Sequence, residues 1–457
     1  MKRKPLLYLE TLGCPKNLAD SRQIRGMLIE KGYLFSGSPQ EAEIILLNTC
    51  GFIDEAKEES IRAILRLSEW KEKGRCRLLI IAGCLPQKYG AELAEAIPEA
   101  DLFLGVADWR ALGEFIDAYT GSSAAPSHTG RFRAGGPEGD WYRLNWSAAE
   151  KDGPAGYIKI AEGCDHRCTF CVIPRIRGPY RSRLPEDIAE EAAARAANGL
   201  KEAVLVAQDT GAYGKDLTPV SSLAELVRRL CGIEGLQRIR IMYCYPERVD
   251  DALIEAMKHP KVCPYLDIPI QHVDDGVLRR MGRRLGGKRL KGIIRRLRDG
   301  IPDIAIRTTL MVGFPGETEE AFQSLLDFLE EYRIERAGFF SFSPQPDTPA
   351  EGMPDQIPEE EKERRLETAR RRQTEILERR NASLVGKVLE VMIDEETGGE
   401  GKRRYYEGRT LWDAPEIDGL VSLGSEKKLL PGQTVNVRIT HSADYILSGD
   451  ITDEPCH

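Results

Sequence analysis

Residues 157–171 read YIKIAEGCDHRCTFC, and the fold prediction starts from this stretch. A strand-like apolar run ends at a glycine, and Cys164, Cys168 and Cys171 follow in a C-x3-C-x2-C array. Three thiolates can hold three irons of a 4Fe-4S cube and leave the fourth iron without a protein ligand, so that a small molecule can bind there. The alternative is a zinc knuckle or three unligated thiols, but structural zinc sites usually take four ligands.

The chain around and after this array alternates strand-like and helical patterns. Amphipathic helix patterns rich in Arg and Glu separate six strand patterns. The strand patterns are YIKIAEG, EAVLVAQD, RIRIMY, YLDIPIQH, AIRTTLMVGF and RAGFFSFS. Six such units predict a partial parallel (β/α)6 barrel over residues 150–380, with the charged segment from Glu359 to Arg380 as the helix that leads out of it.

The first 120 residues predict a separate open parallel α/β sheet. Cys14, Cys50 and Cys84 each follow a strand pattern, in TLGCPKN, LLNTCGF and IAGCLPQ. Because parallel strands end at one edge of a sheet, the three thiols could converge there on a second cluster. The alternative is that each is a small buried residue, as cysteine often is. The remaining cysteines lack comparable placement and are predicted to be packing or incidental residues: Cys76, Cys231, Cys244, Cys263 and Cys456.

Two further segments complete the predicted organisation, which is α/β with a small β domain. Residues 121–149 are rich in Gly, Ser, Ala and Pro and predict a linker. Residues 381–457 hold short alternating strand patterns separated by Gly and Pro, which predict a small closed β-barrel. From Gly386 to His457 there are 8 Lys and Arg against 14 Asp and Glu, a balance that repels phosphate backbones and suits a basic protein partner. The run Lys402 to Arg404 is the exception, and could touch RNA or simply solvate a loop.

Length and composition exclude several classes of protein. A chain of 457 residues predicts several domains, and no apolar run is long enough to cross a bilayer. The start, MKRKPLLYLETLG, reaches an acidic residue and a turn before a signal-peptide apolar region could form, so we expect a cytoplasmic protein. Eleven cysteines in that reducing compartment favour metal or redox chemistry over disulfides. A monomer is the default expectation.

The stretch GCDHRCTFC resembles the signature of the radical-SAM superfamily. The resemblance implies that S-adenosylmethionine (SAM) chelates the open iron of a 4Fe-4S cluster and is cleaved to a 5'-deoxyadenosyl radical. It also implies that Phe170 lies against the adenine, and that Gly313, in MVGFPGE, lets the backbone approach the adenosyl group. Gln208 and Arg307 are predicted to bind the cofactor from strand ends at the C-terminal face of the barrel. Asp209, Gln271 and His272 are assigned to the same face, and a structural hydrogen-bonding role is the alternative for each of these strand-end residues.

The three predicted domains together resemble the radical-SAM methylthiotransferase family over nearly the whole chain. The resemblance implies that Cys14, Cys50 and Cys84 hold an auxiliary 4Fe-4S cluster whose open iron binds the sulfur to be transferred. One SAM would supply the methyl group, and a second SAM would supply the radical. A protein such as flavodoxin or ferredoxin would supply the electron. The C-terminal β-barrel corresponds to the TRAM domain of that family. No catalytic side chain is assigned.

Two branches of that family differ in substrate. The segments AQDTGAYG, LDIPIQH, FSPQPDTPA, APEIDGLV and ITHSADYILSGD resemble the RimO branch, which modifies the β-carbon of an aspartate in ribosomal protein uS12. The alternative is the MiaB branch, which modifies an adenosine of tRNA, and for which a basic TRAM domain would be expected. A further alternative is a non-catalytic iron-sulfur or zinc scaffold that docks on ribosomes. Arg175, Ile176 and Cys244 depart from the forms expected of the RimO branch.

Overall fold

The computed structural model describes residues 4–121, 131–136 and 152–456. The chain forms two compact units. Unit 1 takes in Met1–Glu150, Ala161–His166 and Cys171–Arg183, and unit 2 takes in Lys151–Ile160, Arg167–Phe170 and Leu184–His457. The stretch that carries the C-x3-C-x2-C array is therefore divided between the two units.

Unit 1 is built on a six-stranded sheet whose strands all run parallel. In chain order they are β1 (Leu6–Thr11), β2 (Leu34–Phe35), β3 (Ile44–Thr49), β4 (Leu78–Gly83), β5 (Leu102–Leu104) and β6 (Phe132–Arg133). The strand order is β2-β1-β3-β4-β5-β6. Every residue of β3 and β4 is buried, as expected of a parallel sheet covered on both faces. The predicted open parallel sheet is confirmed.

Helices cover both faces of this sheet. They are α1 (Pro15–Glu30), α2 (Asp54–Ser68), α3 (Trp70–Lys73), α4 (Cys84–Ala96), α5 (Leu112–Gly121) and, later in the chain, α6 (Ile173–Arg177), with a 3-10 helix at Val106–Ala111. Alternate residues of β3 feed two cores, since Leu46 packs with Leu28 and Trp109 while Leu47 packs with Ile64. Two short antiparallel strands, β8 (Ala161–Glu162) and β9 (Arg181–Ser182), complete the unit.

The segment predicted as a linker contributes to this sheet. Phe132 and Arg133 form β6 and pair with β5 at the sheet edge. A two-residue strand carries no periodicity that the sequence could reveal. The rest of that segment, residues 122–130 and 137–149, lies outside the described residues.

Unit 2 begins with a second six-stranded parallel sheet. Its strands are β7 (Ala155–Lys159), β10 (Glu202–Val206), β11 (Arg238–Ile241), β12 (Val262–Asp267), β13 (Ala305–Val312) and β14 (Arg336–Ser341). The order β14-β13-β12-β11-β10-β7 follows the chain from one edge strand to the other. The six strands are those expected from the sequence, so the predicted partial (β/α)6 barrel is confirmed.

The helices of this part alternate with the strands. They are α7 (Pro185–Ala197), α8 (Leu223–Cys231), α9 (Asp251–Met257), α10 (Asp275–Arg280), α11 (Gly287–Gly300), α12 (Glu319–Tyr332) and α13 (Glu359–Ala382), with 3-10 helices at Thr210–Ala212 and Pro246–Arg248. Side chains that accept a hydrogen bond from the third residue of the helix fix several N-termini. The capping residues are Ser222, Asp250, Asp274 and Thr318. Across the described ranges, we find no helix with the length and apolarity needed to span a membrane.

The C-terminal part of unit 2 is a closed five-stranded barrel, as predicted. Its strands are β15 (Val388–Glu400), β16 (Arg403–Arg409), β17 (Leu420–Ser425), β18 (Thr434–Ala443) and β19 (Ile446–Ile451). The order is β15-β16-β17-β19-β18. Val391, Tyr406 and Val437 lie at the centre of its core.

The loop between β16 and β17 packs against the strands of the larger sheet. Tyr157 Oη donates to Pro415 O over 2.9 Å, and Arg240 Nη1 donates to Leu411 O over 2.9 Å. Tyr265 and its acceptor Asp418 form a further contact, with Oη 2.8 Å from Oδ2. This loop therefore joins the small barrel to the strands of the partial barrel within unit 2.

Candidate functional site

Three cysteines of unit 1 lie at the carboxyl ends of neighbouring parallel strands. Cys14 is the N-cap residue of α1 just beyond β1, Cys50 directly follows β3, and Cys84 begins α4 directly after β4. Burial, and then the charge of nearby Cys14, raises the pKa of the Cys50 thiol. Burial raises the pKa of Cys84 to about 12, and both Cys14 and Cys50 add to that rise. Cys14 thus contributes to the raised pKa of both other thiols, and all three cysteines lie at the ends of neighbouring strands.

Glycine makes this close arrangement possible. Gly13 has φ +90°, and a Cβ atom there would lie 2.6 Å from Cβ of Cys50. Gly83, directly before Cys84, has φ +104°, and a Cβ atom there would lie 2.6 Å from Thr49 O and still closer to Asn48 Oδ1. Only glycine adopts such a conformation readily and leaves this space free.

The residues of this edge fit an iron-sulfur cluster in their donor chemistry. Thiolates are the usual protein ligands of such clusters, and an open three-cysteine set leaves one iron available. Within the described part of the chain, no three His, Cys, Asp or Glu side chains stand together as a ready-made metal-binding group. Support for a cluster here comes from the type of the donors and from their placement at adjacent strand ends.

Two polar residues that the sequence reasoning missed hold this edge together. Asn17 is fully buried in the first turn of α1, where its Nδ2 donates to Leu12 O over 2.9 Å and to Thr49 O over 3.1 Å. Its Oδ1 accepts from Arg177 Nη2 over 2.7 Å, and the same nitrogen lies 3.1 Å from Cys84 Sγ. Although burial opposes the charge of Arg177, its pKa is raised by Cys84 and by the carboxylates of Glu162 and Asp20.

Part of the C-x3-C-x2-C array lies in unit 1. Cys164 is buried just beyond β8, and its N–H donates to Gly178 O over 3.1 Å. Gly163 has φ +81° and lies so close to the backbone of Pro179 that a side chain could not fit. Cys171 is half-buried and directly precedes the turn into α6.

The middle of the array lies in unit 2 beside other predicted cofactor residues. Cys168 is buried, and the N–H of the next residue, Thr169, donates to Met281 O over 3.0 Å. The ring of Phe170 packs edge-to-face on Phe314, with centroids 6.3 Å apart. Phe314 directly follows Gly313, which has φ +70° and faces Lys362 at close range. Unit 2 thus brings the ring of Phe170 against the ring of Phe314 in the glycine motif. The contact of Phe170 and Gly313 with SAM stays a prediction.

Other predicted residues follow the strands of the same sheet. Gln208 lies two residues beyond β10 and is followed by the buried Asp209. Gln271, after β12, has φ +71°, an uncommon value for a residue other than glycine. Its N–H donates to Thr309 O over 2.9 Å, which anchors this strained residue to β13. Strained backbone of this kind clusters at functional sites.

His272 is fixed by hydrogen bonds on both ring nitrogens. Nδ1 accepts from the N–H of Asp274 over 3.0 Å, so Nε2 carries the proton and donates to Glu317 Oε1 over 3.1 Å. Glu317 also accepts from the N–H of Gly313 and from Arg365 Nη1, the latter over 2.8 Å. These contacts favour the structural alternative for His272, which supports the glycine motif through Glu317.

The predicted contact of Arg307 with the cofactor stays a prediction. Arg307 is the third residue of the eight-residue strand β13, and its register partner is Asp267, the last residue of β12. Its Nη1 lies 3.1 Å from Asp267 Oδ1, and its Nε lies 3.8 Å from Asp418 Oδ1 in the β16–β17 loop. The sequence pattern indicated a strand but could not show how far the strand continues past this arginine.

Arg283 is a cation that the sequence reasoning overlooked. Its guanidinium lies 4.3 Å from the ring centroid of Tyr245, and no described residue accepts a hydrogen bond from its buried Nε or Nη1. Although burial opposes its charge, the pKa of Arg283 is raised, with Tyr245 and Cys168 among the causes. Unit 2 therefore holds a buried cation with spare donors, which suits an anionic group such as a carboxylate.

Sequence profiles of three known families match the chain in succession. The Radical SAM superfamily matches residues 158–329, the Uncharacterized protein family UPF0004 matches residues 6–105, and the TRAM domain matches residues 385–452. Among solved structures, the radical S-adenosylmethionine methyltransferase TsrM from Kitasatospora setae is similar in fold. The TM-score is 0.58 at 16% identity, over 76% of this chain and 77% of that one.

Relatives of similar length give the family. The chain is 43% identical to a protein of Heliobacterium modesticaldum over 98% of this chain and 95% of the relative. It is 45% identical to a protein of Desulforudis audaxviator over 96% of each chain, and 43% identical to one of Geobacter sulfurreducens over 98% of this chain and 99% of the relative. All three are named ribosomal protein uS12 methylthiotransferase RimO. At this identity and coverage, the chain belongs to the RimO family of radical-SAM methylthiotransferases.

Proposed function

We propose that this chain is a radical-SAM enzyme that adds a methylthio group to the β-carbon of an aspartate in ribosomal protein uS12. The observation that carries the proposal is the 43% identity, over 98% of the chain, to a protein named for methylthiolation of uS12. The acidic composition of the C-terminal barrel adds support, because it suits a basic protein better than it suits tRNA. Methylthiolation of a tRNA adenosine is the alternative that the first experiment below tests.

Both cysteine sets take part in the proposed reaction. Cys164, Cys168 and Cys171 would hold the 4Fe-4S cluster that binds SAM, and Cys14, Cys50 and Cys84 would hold a second cluster. When bound, the first cluster with SAM supplies the 5'-deoxyadenosyl radical, the second supplies the sulfur, and another SAM supplies the methyl group. The assignment of these roles to the two cysteine sets is what the resemblance to the methylthiotransferase family implies.

Side chains of unit 2 would bind and enclose SAM. Phe170 offers a ring face to the adenine, Gly313 offers backbone without a side chain, and Gln208 offers an amide beyond β10. Phe314, between Phe170 and Phe342, extends the apolar wall and would keep water from a reactive radical. The spare donors of Arg283 suit the carboxylate of SAM or that of the substrate.

The proposed reaction also implies partners and a place. Reductive cleavage of SAM needs an electron from a protein such as flavodoxin or ferredoxin. A ribosomal substrate, free or within the ribosome, places the reaction in the cytoplasm. We expect the chain to act as a monomer.

Product analysis separates the two substrates. Reduced, cluster-loaded protein is incubated with SAM and a sulfide source, and with either uS12 or unmodified tRNA, and both are analysed by mass spectrometry. We expect the mass of a methylthio group on one aspartate of uS12 and none on tRNA. A methylthio group on tRNA adenosine alone would make the MiaB-type alternative correct.

Iron content tests the second cluster independently of activity. We expect about eight irons per chain after anaerobic reconstitution, and about four in a Cys14→Ala/Cys50→Ala/Cys84→Ala variant. The matched variant Cys164→Ala/Cys168→Ala/Cys171→Ala should also hold about four, with a distinct EPR signal. About four irons in the wild-type chain, unchanged by the first triple substitution, would mean that the N-terminal cysteines bind no cluster.

A further inference from the structure

Arg177 makes a set of buried contacts at the cysteine edge of unit 1. It ends α6, the helix that begins two residues after Cys171, and its side chain is 2% exposed. Nη1 donates to Asp20 Oδ2 over 2.7 Å and to Glu162 Oε2 over 3.3 Å. Nη2 donates to Asn17 Oδ1 over 2.7 Å and points its other hydrogen at Cys84 Sγ, 3.1 Å away. The four hydrogens on the two Nη atoms therefore all have acceptors.

The acceptors divide the guanidinium into two sides. Both carboxylates lie on the Nη1 side, where they hold the charge in place, and both are fully buried. The amide and the sulfur lie on the Nη2 side. Because the amide of Asn17 is itself fixed by Leu12 O and Thr49 O, the direction of the N–H toward Cys84 is set by the surrounding fold.

Apolar packing supports the same contact. Val172 and Ile176 of the α6 segment pack with Cys84, and Phe52 lies against them. The guanidinium of Arg177 also lies 5.7 Å from the ring centroid of the buried Trp109. The helix that follows Cys171 is thereby tied to the strand end that carries Cys84.

We infer that Arg177 raises the reduction potential of the cluster held by Cys14, Cys50 and Cys84, by donating a charge-assisted hydrogen bond to the sulfur of Cys84. Hydrogen bonds to ligand sulfurs and nearby charge are among the factors that set the potential of an iron-sulfur cluster. A cation stabilises the reduced, more negative cluster over the oxidised one. The inference rests on the second cluster of the proposed function. Arg177 is a positioning residue in this role, because it acts on the cluster through Cys84.

The test measures the potential of this cluster alone. In the full chain with Cys164→Ala/Cys168→Ala/Cys171→Ala as parent, iron is counted and the cluster is titrated with EPR detection. Arg177→Lys keeps a positive charge between Asp20 and Glu162, but its single nitrogen cannot also serve Cys84. We expect it to keep its iron and to show a roughly tenfold lower ratio of reduced to oxidised cluster at a given potential, about 59 mV for a one-electron couple.

Arg131→Lys is the matched control. Arg131 is a buried arginine of the same unit that donates to the carbonyl oxygens of Ala94, Ile97 and Ala100, and no sulfur of a described residue accepts from it. Arg131→Lys should lower the stability of the chain about as much as Arg177→Lys does, and it should leave the reduction potential of the cluster unchanged. Where Arg177→Lys does not fold, Arg177→Leu/Asp20→Asn removes the donor together with one carboxylate and gives the same readout, with a potential below that of the parent.

The outcomes separate the two claims. An iron-loaded Arg177 variant with the potential of the parent would overturn the inference and leave the second cluster standing. A parent without iron would show that the N-terminal cysteines hold no cluster, and the inference would fall with that part of the proposed function. A lowered potential in the Arg177 variant, with none in Arg131→Lys, would establish the role.

Discussion

Single residues decide how close the three strand ends of unit 1 approach. Gly13 provides a left-handed backbone directly before Cys14 and leaves room for the side chain of Cys50. Gly83 has positive φ directly before Cys84 and leaves room for the side chain of Asn48 and the backbone of Thr49. A side chain at either position would cost conformational strain and would also push the strand ends apart.

A matched pair of alanine substitutions separates these two costs. Gly32 has φ +85° and open space within 4 Å of the position that a Cβ atom would take, whereas Gly13 has φ +90° and Cys50 in contact. We expect Gly13→Ala and Gly32→Ala each to lose about 1–3 kcal/mol of stability from strain. Only Gly13→Ala should also lose iron from the N-terminal cluster, as measured by iron content after reconstitution. Equal iron content in both variants would contradict the role given to this glycine.

The sequence predicts the placement of some residues of this edge and not of others. Cys14, Cys50 and Cys84 could be predicted to share an edge because each directly follows an apolar strand pattern, and parallel strands end together. Asn17 and Arg177 could not be paired, since 160 positions separate them and neither type of residue is typical of a buried site. Their role depends on a tertiary contact, for which a local pattern gives no signal.

At the scale of elements, the end of strand β16 in the small barrel and the strands of the partial barrel share a buried ionic network. Glu202, the first residue of β10, accepts from Arg240 Nε over 2.6 Å and from Arg409 Nη1 over 2.9 Å. Burial alone would raise the pKa of Glu202, but the two guanidinium groups lower it to about 2. Removing one member leaves buried charge without a partner, which costs more than losing a surface pair.

Glu202→Gln should therefore destabilise unit 2 by about 3 kcal/mol at neutral pH. Because the pKa of Glu202 is lower in the folded chain than its ordinary value of 4.5, its stabilising effect is complete above that value and is lost as the pH falls toward 2. The difference in free energy of unfolding between the wild type and the variant should shrink over that range, as measured by unfolding at several pH values.

Glu390→Gln is the control, because Glu390 is a half-exposed partner of Arg238. This substitution should lower the free energy of unfolding by about 1 kcal/mol or less. A difference that stays constant from pH 5 to pH 2 would refute the assigned role.

The elements themselves were predictable to a large extent, and their mutual contacts were not. Apolar runs such as EAVLVAQD and RIRIMY indicated strands of the partial barrel, and the Gly- and Pro-separated runs after residue 386 indicated the small barrel. The contact of Arg409 with Glu202 joins positions 207 residues apart, so no periodicity could reveal it. The same limit applies to the ion pair that joins Arg307 to Asp418 of the β16–β17 loop.

At the scale of the whole molecule, charge bears on the choice between a protein and an RNA substrate. The chain has a formal net charge of -8, and its C-terminal barrel holds more acidic than basic residues. Glu395 and Glu400 lie exposed on β15, where they could face a basic partner. Complementary charge speeds encounter and disfavours partners of like charge.

Charge reversal on β15 tests this use of the acidic surface. We expect Glu395→Lys/Glu400→Lys to raise the KM for uS12 several-fold at low salt, and to raise the affinity of the chain for unmodified tRNA. Glu363→Lys/Glu367→Lys makes the same change in net charge on exposed positions of α13 and should have a smaller effect. Steady-state kinetics at two ionic strengths would distinguish them, because salt screens exposed charges. Equal effects of the two double variants would mean that net charge matters and the position on β15 does not.

The most direct test of the account compares two products of one reaction in the wild type and in the Cys14→Ala/Cys50→Ala/Cys84→Ala variant. Both proteins are reduced in the presence of SAM and uS12, and 5'-deoxyadenosine and methylthiolated uS12 are measured by mass spectrometry. We expect the wild type to form both, and the variant to form 5'-deoxyadenosine without methylthiolated uS12, since its radical site is intact and its sulfur site is lost. Methylthiolated uS12 from the triple variant would contradict the account, because the N-terminal cysteines would then have no part in sulfur transfer.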